Sequence, residues 1–103
     1  MASASSLGDA LSKQADALRR LSDVAIRQRE ARKEGRLEFL QDLFKELQAA
    51  GFAAEAAEER RRREAAGLAA SLGCEPRISA ICAALPPEEA LELREKADRL
   101  MLQ

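Results

Sequence analysis

A shortage of β-branched residues is the feature that most constrains the fold of this chain. Among 103 residues there are one Val, three Ile and no Thr. Strands are built mainly from β-branched and aromatic residues, so a β-sheet domain is close to excluded. Ala, Leu, Arg, Glu and Lys together supply 67 of the 103 residues, well above the roughly 50% that is typical of long-helix proteins. The sequence therefore predicts an all-α protein.

A long N-terminal helix is predicted over residues 6–50. A capping box that begins at Ser6 starts it, and Gly51 is suited to the left-handed residue that follows a helix end. Gly35 lies inside this segment. In the alternative prediction, the helix breaks near Gly35 and the segment forms a helix pair. An interior glycine costs only about 1 kcal/mol, and no proline accompanies it, so a continuous helix is favoured.

Three shorter helices are predicted over residues 52–72, 76–85 and 87–102. Prolines lie near the start of the last two, where they suit the first helical turn. We expect residues 1–5 to be a disordered tail and residues 6–103 to be a single domain. The predicted architecture is a small helical bundle with a long N-terminal helix or helix pair and three shorter helices, able to form a coiled-coil dimer. Its predicted core consists of Phe44, Leu47, Phe52, Leu68, Leu72, Ile78, Ile81, Leu85, Leu91 and Leu100.

Apolar residues at heptad-like spacing form a candidate interaction seam. They recur in the pattern of a helix that packs along another helix, with Gln14 in one of the seam positions. The pattern fades before Gly35 and resumes after it in the most apolar segment of the chain. The seam packs either inside the bundle or against another protein or a second copy, and both alternatives stay open. Its residues are Leu7, Leu11, Leu18, Leu21, Leu37, Leu40, Phe44 and Leu47.

Charged residues balance almost completely, to a net charge of −1, but they are unevenly distributed. Residues 27–36 carry five basic and two acidic side chains. This basic segment could meet an acidic partner, or the more acidic C-terminal half of a second copy. The run Arg60–Arg63 is flanked by glutamates, which is typical of a salt-bridged, solvated helix face.

A helix-turn-helix-like unit over residues 68–85 is the basis of an alternative function. Gly73 would form its turn, and Ile78 would lie in its second helix. Ile78 follows the glycine by five positions, one fewer than in most such units, so the turn is short. In this alternative the chain is a small DNA-binding transcriptional regulator. The candidate nucleic-acid contacts are Arg27, Arg32, Arg36 and Arg77.

Several residue types are missing, and their absence excludes much catalytic chemistry. With no His in the chain, a His-ligated metal and a His general base are impossible. Cys74 and Cys82 are eight positions apart, too far for a disulfide on one helix, and we interpret them as small apolar core residues. No signal-peptide pattern and no apolar run of about 18 residues occurs. We expect a cytoplasmic protein with no metal, cofactor, small-molecule substrate or membrane partner.

The sequence thus favours a non-enzymatic, helical protein-interaction module. It would act as an adaptor, assembly factor or inhibitor by burying Leu and Ala seams against a partner. The expected partner is another protein or a second copy of the chain, with a homodimer favoured and DNA less favoured. On this hypothesis, Leu18→Glu and Leu40→Glu are predicted to abolish association.

Overall fold

The computed structural model describes residues 3–101 and consists of four α-helices over that range. No strand occurs among these residues, so the predicted all-α class is confirmed. Met1 and Ala2 of the predicted tail, and Leu102 of the last predicted helix, lie outside the described residues. In chain order the helices are α1 (Ala4–Lys33), α2 (Leu37–Leu72), α3 (Ile78–Ala84) and α4 (Pro87–Met101).

Helix α1 begins at Ala4, two residues before the predicted start. The N-cap is Ser3, whose hydroxyl accepts a hydrogen bond of 3.1 Å from the backbone N–H of Ser6. The predicted capping box is therefore wrong: Ser6 already lies inside the first turn, and Ser3 satisfies its free backbone donor. The prediction of disorder is also wrong for Ala4 and Ser5, which are helical.

The favoured continuous helix over residues 6–50 is wrong, because the chain reverses at Gly35. Gly35 has a φ of +71°, in the left-handed region that glycine adopts without strain. The N–H of Arg36 donates to the carbonyl of Ala31 at 2.9 Å, which closes the end of α1. A straight helix would leave the apolar faces on both sides of Gly35 in water, whereas the reversal lets them pack on each other.

The predicted helix end at Gly51 is also wrong. Helix α2 passes through Gly51 without interruption and is 36 residues long, about 54 Å at about 1.5 Å per residue. Its neighbours in sequence are mostly alanine, the strongest helix former, and these outweigh one glycine. The helix ends at Gly73, where φ is +70° and the N–H of Cys74 donates to the carbonyl of Ala69 at 3.0 Å.

Helices α1 and α2 form an antiparallel hairpin, with the turn at one end and the other two helices at the opposite end. We call residues 4–18 and 55–72 the base of the hairpin, and residues 19–33 and 37–54 its tip. Helices α3 and α4 pack against the base. The apolar cluster there draws on all four helices, and its buried members are Leu7, Leu11, Ala65, Leu68, Ala69, Ile81, Cys82 and Leu93.

The predicted core is correct only at the base. Leu68 and Ile81 are buried, and four other predicted members are partly buried against them, namely Leu72, Ile78, Leu85 and Leu100. Leu47 is only half-buried, at the tip. Phe44, Phe52 and Leu91 are exposed, so their assignment to the core is wrong. The sequence assigns Leu7 and Leu11 to the seam of the N-terminal helix and not to the core. In the structure, these two residues lie at the centre of the base.

Gly51→Ala should raise the free energy of unfolding by about 1 kcal/mol, because alanine favours an interior helical position over glycine by that amount. Nothing lies within 4 Å of where the new Cβ would be placed. Urea denaturation followed by far-ultraviolet circular dichroism at low protein concentration measures the change.

The matched control is Gly73→Ala, which places the same methyl group on a residue with a φ of +70°. The free energy of unfolding of this variant should fall by about 1 kcal/mol, because an L-residue is strained in the left-handed region. A stabilising effect at Gly73, or a destabilising one at Gly51, would contradict the helix boundaries given above.

Candidate functional site

The tip of α2 carries a row of apolar side chains that the rest of the described chain leaves open to solvent. Leu37 is 69% exposed, Phe44 is 60% exposed and Phe52 is 63% exposed. Leu40 and Leu47 are half-buried at the edge of this row, between it and α1. We call this row, together with the two glutamines and the glycine that lie along it, the tip stripe. It comprises Leu37, Leu40, Gln41, Phe44, Leu47, Gln48, Gly51 and Phe52.

Helical periodicity explains why these residues lie together. Leu37, Leu40, Phe44, Leu47 and Gly51 follow each other at alternating steps of three and four residues, which places them along one side of a helix. The two glutamines and Phe52 lie beside them, on the side that faces away from α1. None of the eight residues is charged, although four of the other eight residues between Leu37 and Phe52 are charged. An uncharged, exposed apolar row of this kind marks an interaction surface.

The basic turn flanks one end of the tip stripe. Arg36 directly precedes α2 and makes no capping hydrogen bond with its side chain. Its guanidinium carbon lies 5.6 Å from the centroid of the Phe39 ring, and it forms an exposed ion pair of 3.3 Å with Glu34. Arg32 and Lys33, in the last turn of α1, are exposed as well. Two carboxylates, Glu34 and Glu38, lie beside these three cations, so the surface around the turn carries a small excess of positive charge.

A second groove lies at the tip, on the other side of the hairpin. Phe39 and Leu43 supply its apolar part. Charged groups surround it, among them Arg27 and Glu46, which form an ion pair of 3.6 Å. Because two arginines and four carboxylates line this groove, it lacks the uncharged character of the tip stripe.

The structure separates the eight residues of the predicted seam into two groups. Leu7 and Leu11 are fully buried in the base, and Leu18 and Leu21 are half-buried. The other four, Leu37, Leu40, Phe44 and Leu47, all belong to the tip stripe. The N-terminal part of the seam is thus used inside the molecule, whereas the part on α2 leaves apolar side chains exposed.

The four-arginine run contributes to the hairpin more than to a free surface. Arg60 forms an ion pair of 3.1 Å with Asp9, and Arg61 Nε donates a hydrogen bond of 2.7 Å to Gln14 Oε1. Both contacts join α2 to α1. Gln14 occupies a seam position and is only 7% exposed, so this hydrogen bond satisfies a buried amide oxygen.

The candidate nucleic-acid contacts do not form one surface. Arg27, Arg32 and Arg36 lie around the tip, whereas Arg77 follows the end of α2 at the base. Arg77 forms an exposed ion pair of 2.6 Å with Glu75. Helix α3, the second helix of the helix-turn-helix-like unit, spans the seven residues Ile78–Ala84, none of which is charged.

The described part of the chain also bears on metal binding, thiol chemistry and membrane insertion. Between residues 3 and 101, no group of three or more His, Cys, Asp or Glu side chains could hold a metal ion. Cys74 is half-buried and Cys82 is buried, and both are free thiols. Over the same residues, no helix has the length and apolar character needed to cross a membrane.

Over residues 1–102, the chain matches the protein-family model described as FlgN protein. Because this match covers almost the entire chain, the protein belongs to the FlgN family. The family is helical, non-enzymatic and flagellar chaperone-like, and its members bind other proteins. A helical protein-interaction role is therefore supported. No curated protein and no solved structure is significantly similar to the chain.

The contact between Gln14 and Arg61 provides a test of how the hairpin is held. Arg61→Met should lower the free energy of unfolding by about 1–3 kcal/mol, because the buried amide oxygen of Gln14 loses its donor. Arg63→Met, at an exposed position of the same run, should change it by less than about 0.5 kcal/mol.

The double variant Gln14→Leu/Arg61→Met should recover part of the loss, because both polar partners are then removed together. Urea denaturation of the three variants and the unaltered protein provides the measurement. Equal effects of Arg61→Met and Arg63→Met would contradict a specific role for the buried hydrogen bond.

Proposed function

We propose that this protein is a chaperone-type binding protein that holds an amphipathic helix of a partner protein on the tip stripe. The observation that carries the proposal is the exposure of Leu37, Phe44 and Phe52 in a row without charge. The flagellar chaperone-like character of the FlgN family supports a protein partner. We further propose that the protein is not an enzyme and works in the cytoplasm, as the family's type indicates.

The physical basis of binding is burial of apolar surface. Burial of apolar area contributes about 25 cal/mol per Å², and aromatic side chains bury the most. Phe44 and Phe52 would act as the anchors, with Leu37 beside the turn. A partner helix that fits this row would present apolar residues at spacings of three and four, as helices in grooves commonly do.

Charge gives the partner helix a preferred direction. Arg32, Lys33 and Arg36 lie at one end of the tip stripe, and Glu55 lies just beyond its other end. A partner segment whose acidic end approaches the turn would be favoured over one in the opposite direction. Exposed charges of this kind affect orientation and association rate more than affinity.

The DNA-binding alternative has less support. Its second helix is uncharged and contributes the buried residues Ile81 and Cys82 to the apolar cluster. DNA affinity depends largely on basic contacts to phosphates, and Arg77 is the only candidate contact near that helix. The proposal therefore favours a protein partner.

A substitution at an exposed residue of the tip stripe, compared with a matched control elsewhere, is a cleaner test than the substitutions of Leu18 and Leu40 that the sequence suggests. Leu18 and Leu40 are half-buried, so a glutamate there would also disturb the hairpin. Phe44→Glu changes a side chain that is 60% exposed, and its matched control Leu91→Glu changes one that is 61% exposed on α4. Equal exposure makes the two variants comparable in stability.

The purified protein is to be titrated, by calorimetry, with each secreted flagellar structural protein of its own source. At least one should bind, and Phe44→Glu should weaken that binding by tenfold or more, since it places a charge where an apolar anchor is buried. Leu91→Glu should bind as the unaltered protein does. Absence of binding to every one of these proteins, or equal affinity of the two variants, would overturn the proposal.

A further inference from the structure

We infer that, in the absence of a partner, the tip stripe is covered by the tip stripe of a second copy of this chain, in an antiparallel, two-fold symmetric contact. This inference rests on the proposed function only in taking the tip stripe as the interaction surface. It adds a specific occupant and a consequence: self-association and partner binding are mutually exclusive, because both cover Phe44.

The first argument is the order of residue types along the tip stripe. Leu37, Gln41, Phe44, Gln48 and Phe52 read as apolar, glutamine, phenylalanine, glutamine, apolar in either direction along the helix. A two-fold contact requires such self-complementarity, because each residue meets the residue at the reflected position of the other copy. With the axis at Phe44, position 41 of one copy opposes position 47 of the other. Gln41 therefore lies one residue away from Gln48 of the other copy, and an amide can both donate and accept.

The second argument is the fit of large and small residues. Leu37 lies seven positions before Phe44, and Gly51 lies seven positions after it. The same axis therefore places Leu37 of each copy over Gly51 of the other. An added Cβ at Gly51 would meet nothing within 4 Å, so the helix surface is open there. A leucine over a glycine allows two helices to approach closely, and Phe52 is covered in the same contact.

The third argument is charge complementarity at the two ends. Glu55 is the next residue along the outer side of α2 beyond the tip stripe, and it is exposed. In the antiparallel arrangement it lies beside the turn of the other copy, where Arg36 is exposed and forms an ion pair with Glu34 at the surface. Two Glu55–Arg36 contacts would thus close the ends of the apolar contact, and the centre would remain free of charge.

The size of the surface indicates that such a dimer is weak. The tip stripe spans about 22 Å of helix at about 1.5 Å per residue. A single helix-pair contact of that length buries less than the roughly 800 Å² per partner of a standard stable interface. We therefore expect a dissociation constant in the micromolar range. Weak association suits the inferred role, because a partner helix can then displace the second copy.

Sedimentation equilibrium over about 5–500 μM protein, a range that brackets such weak association, tests the inference. Interference optics are needed because the chain has neither Tyr nor Trp, and a reductant keeps the thiols from cross-linking. The unaltered protein should pass from monomer to dimer across this range. Phe44→Glu should weaken the dimer by tenfold or more, and Leu91→Glu should leave it unchanged.

A charge exchange tests the direction of the two helices. Arg36→Glu and Glu55→Arg should each weaken the dimer several-fold, and the double variant should return it to within about threefold of the original, as a coupled charge pair does. Recovery is specific to the antiparallel contact, because a parallel one would place Arg36 beside Arg36. Lack of recovery would overturn the arrangement.

A monomer at every concentration, or a dimer that Phe44→Glu leaves intact, would overturn the inference altogether. Neither result affects the proposed function, which is decided by the titration with flagellar proteins. If the dimer forms and a flagellar protein binds it without dissociating it, the claim of mutual exclusion is refuted.

Discussion

The apolar cluster at the base of the hairpin is the interaction on which the rest of the structure depends. Helix α1 supplies Leu7 and Leu11, α2 supplies Leu68, and the two short helices supply Ile81 and Leu93. Helices of seven and fifteen residues have little stability alone, so their burial against the hairpin keeps them folded. The base is therefore the part of the molecule in which the four helices stabilise one another.

The tip lacks this support. In the described part of the tip, the buried residues are Val24, Ala31 and Ala50, all of them small. Two helices cannot bury a wide apolar face between them, so the larger side chains of α2 remain in solvent. The same arrangement that concentrates the core at the base thus leaves the tip stripe available for binding. This division between a structural base and an interactive tip is the basis of the proposed function.

The helical class could be predicted from the sequence, because composition alone excludes strands. The roles predicted for Gly35 and Gly51 were wrong. Gly35 and Gly51 have the same local cost in a helix, and tertiary packing decides which of them reverses the chain. The leucine pattern identified residues of the tip stripe, yet Phe44 was placed in both the seam and the core. Periodicity shows that a face is apolar; it does not show whether α4 covers it. The contact of Arg61 with Gln14 was missed because it joins residues 47 positions apart.

Native-state hydrogen exchange, followed by NMR at low protein concentration, tests most directly the claim that the base is stable and the tip depends on it. Backbone amides near Leu7, Leu11 and Leu68 should exchange only through global unfolding. Amides of residues 24–31 and 40–47 should exchange through smaller openings, at least about tenfold faster, as weakly packed segments do. Equal protection along the whole length of α1 and α2 would contradict this account.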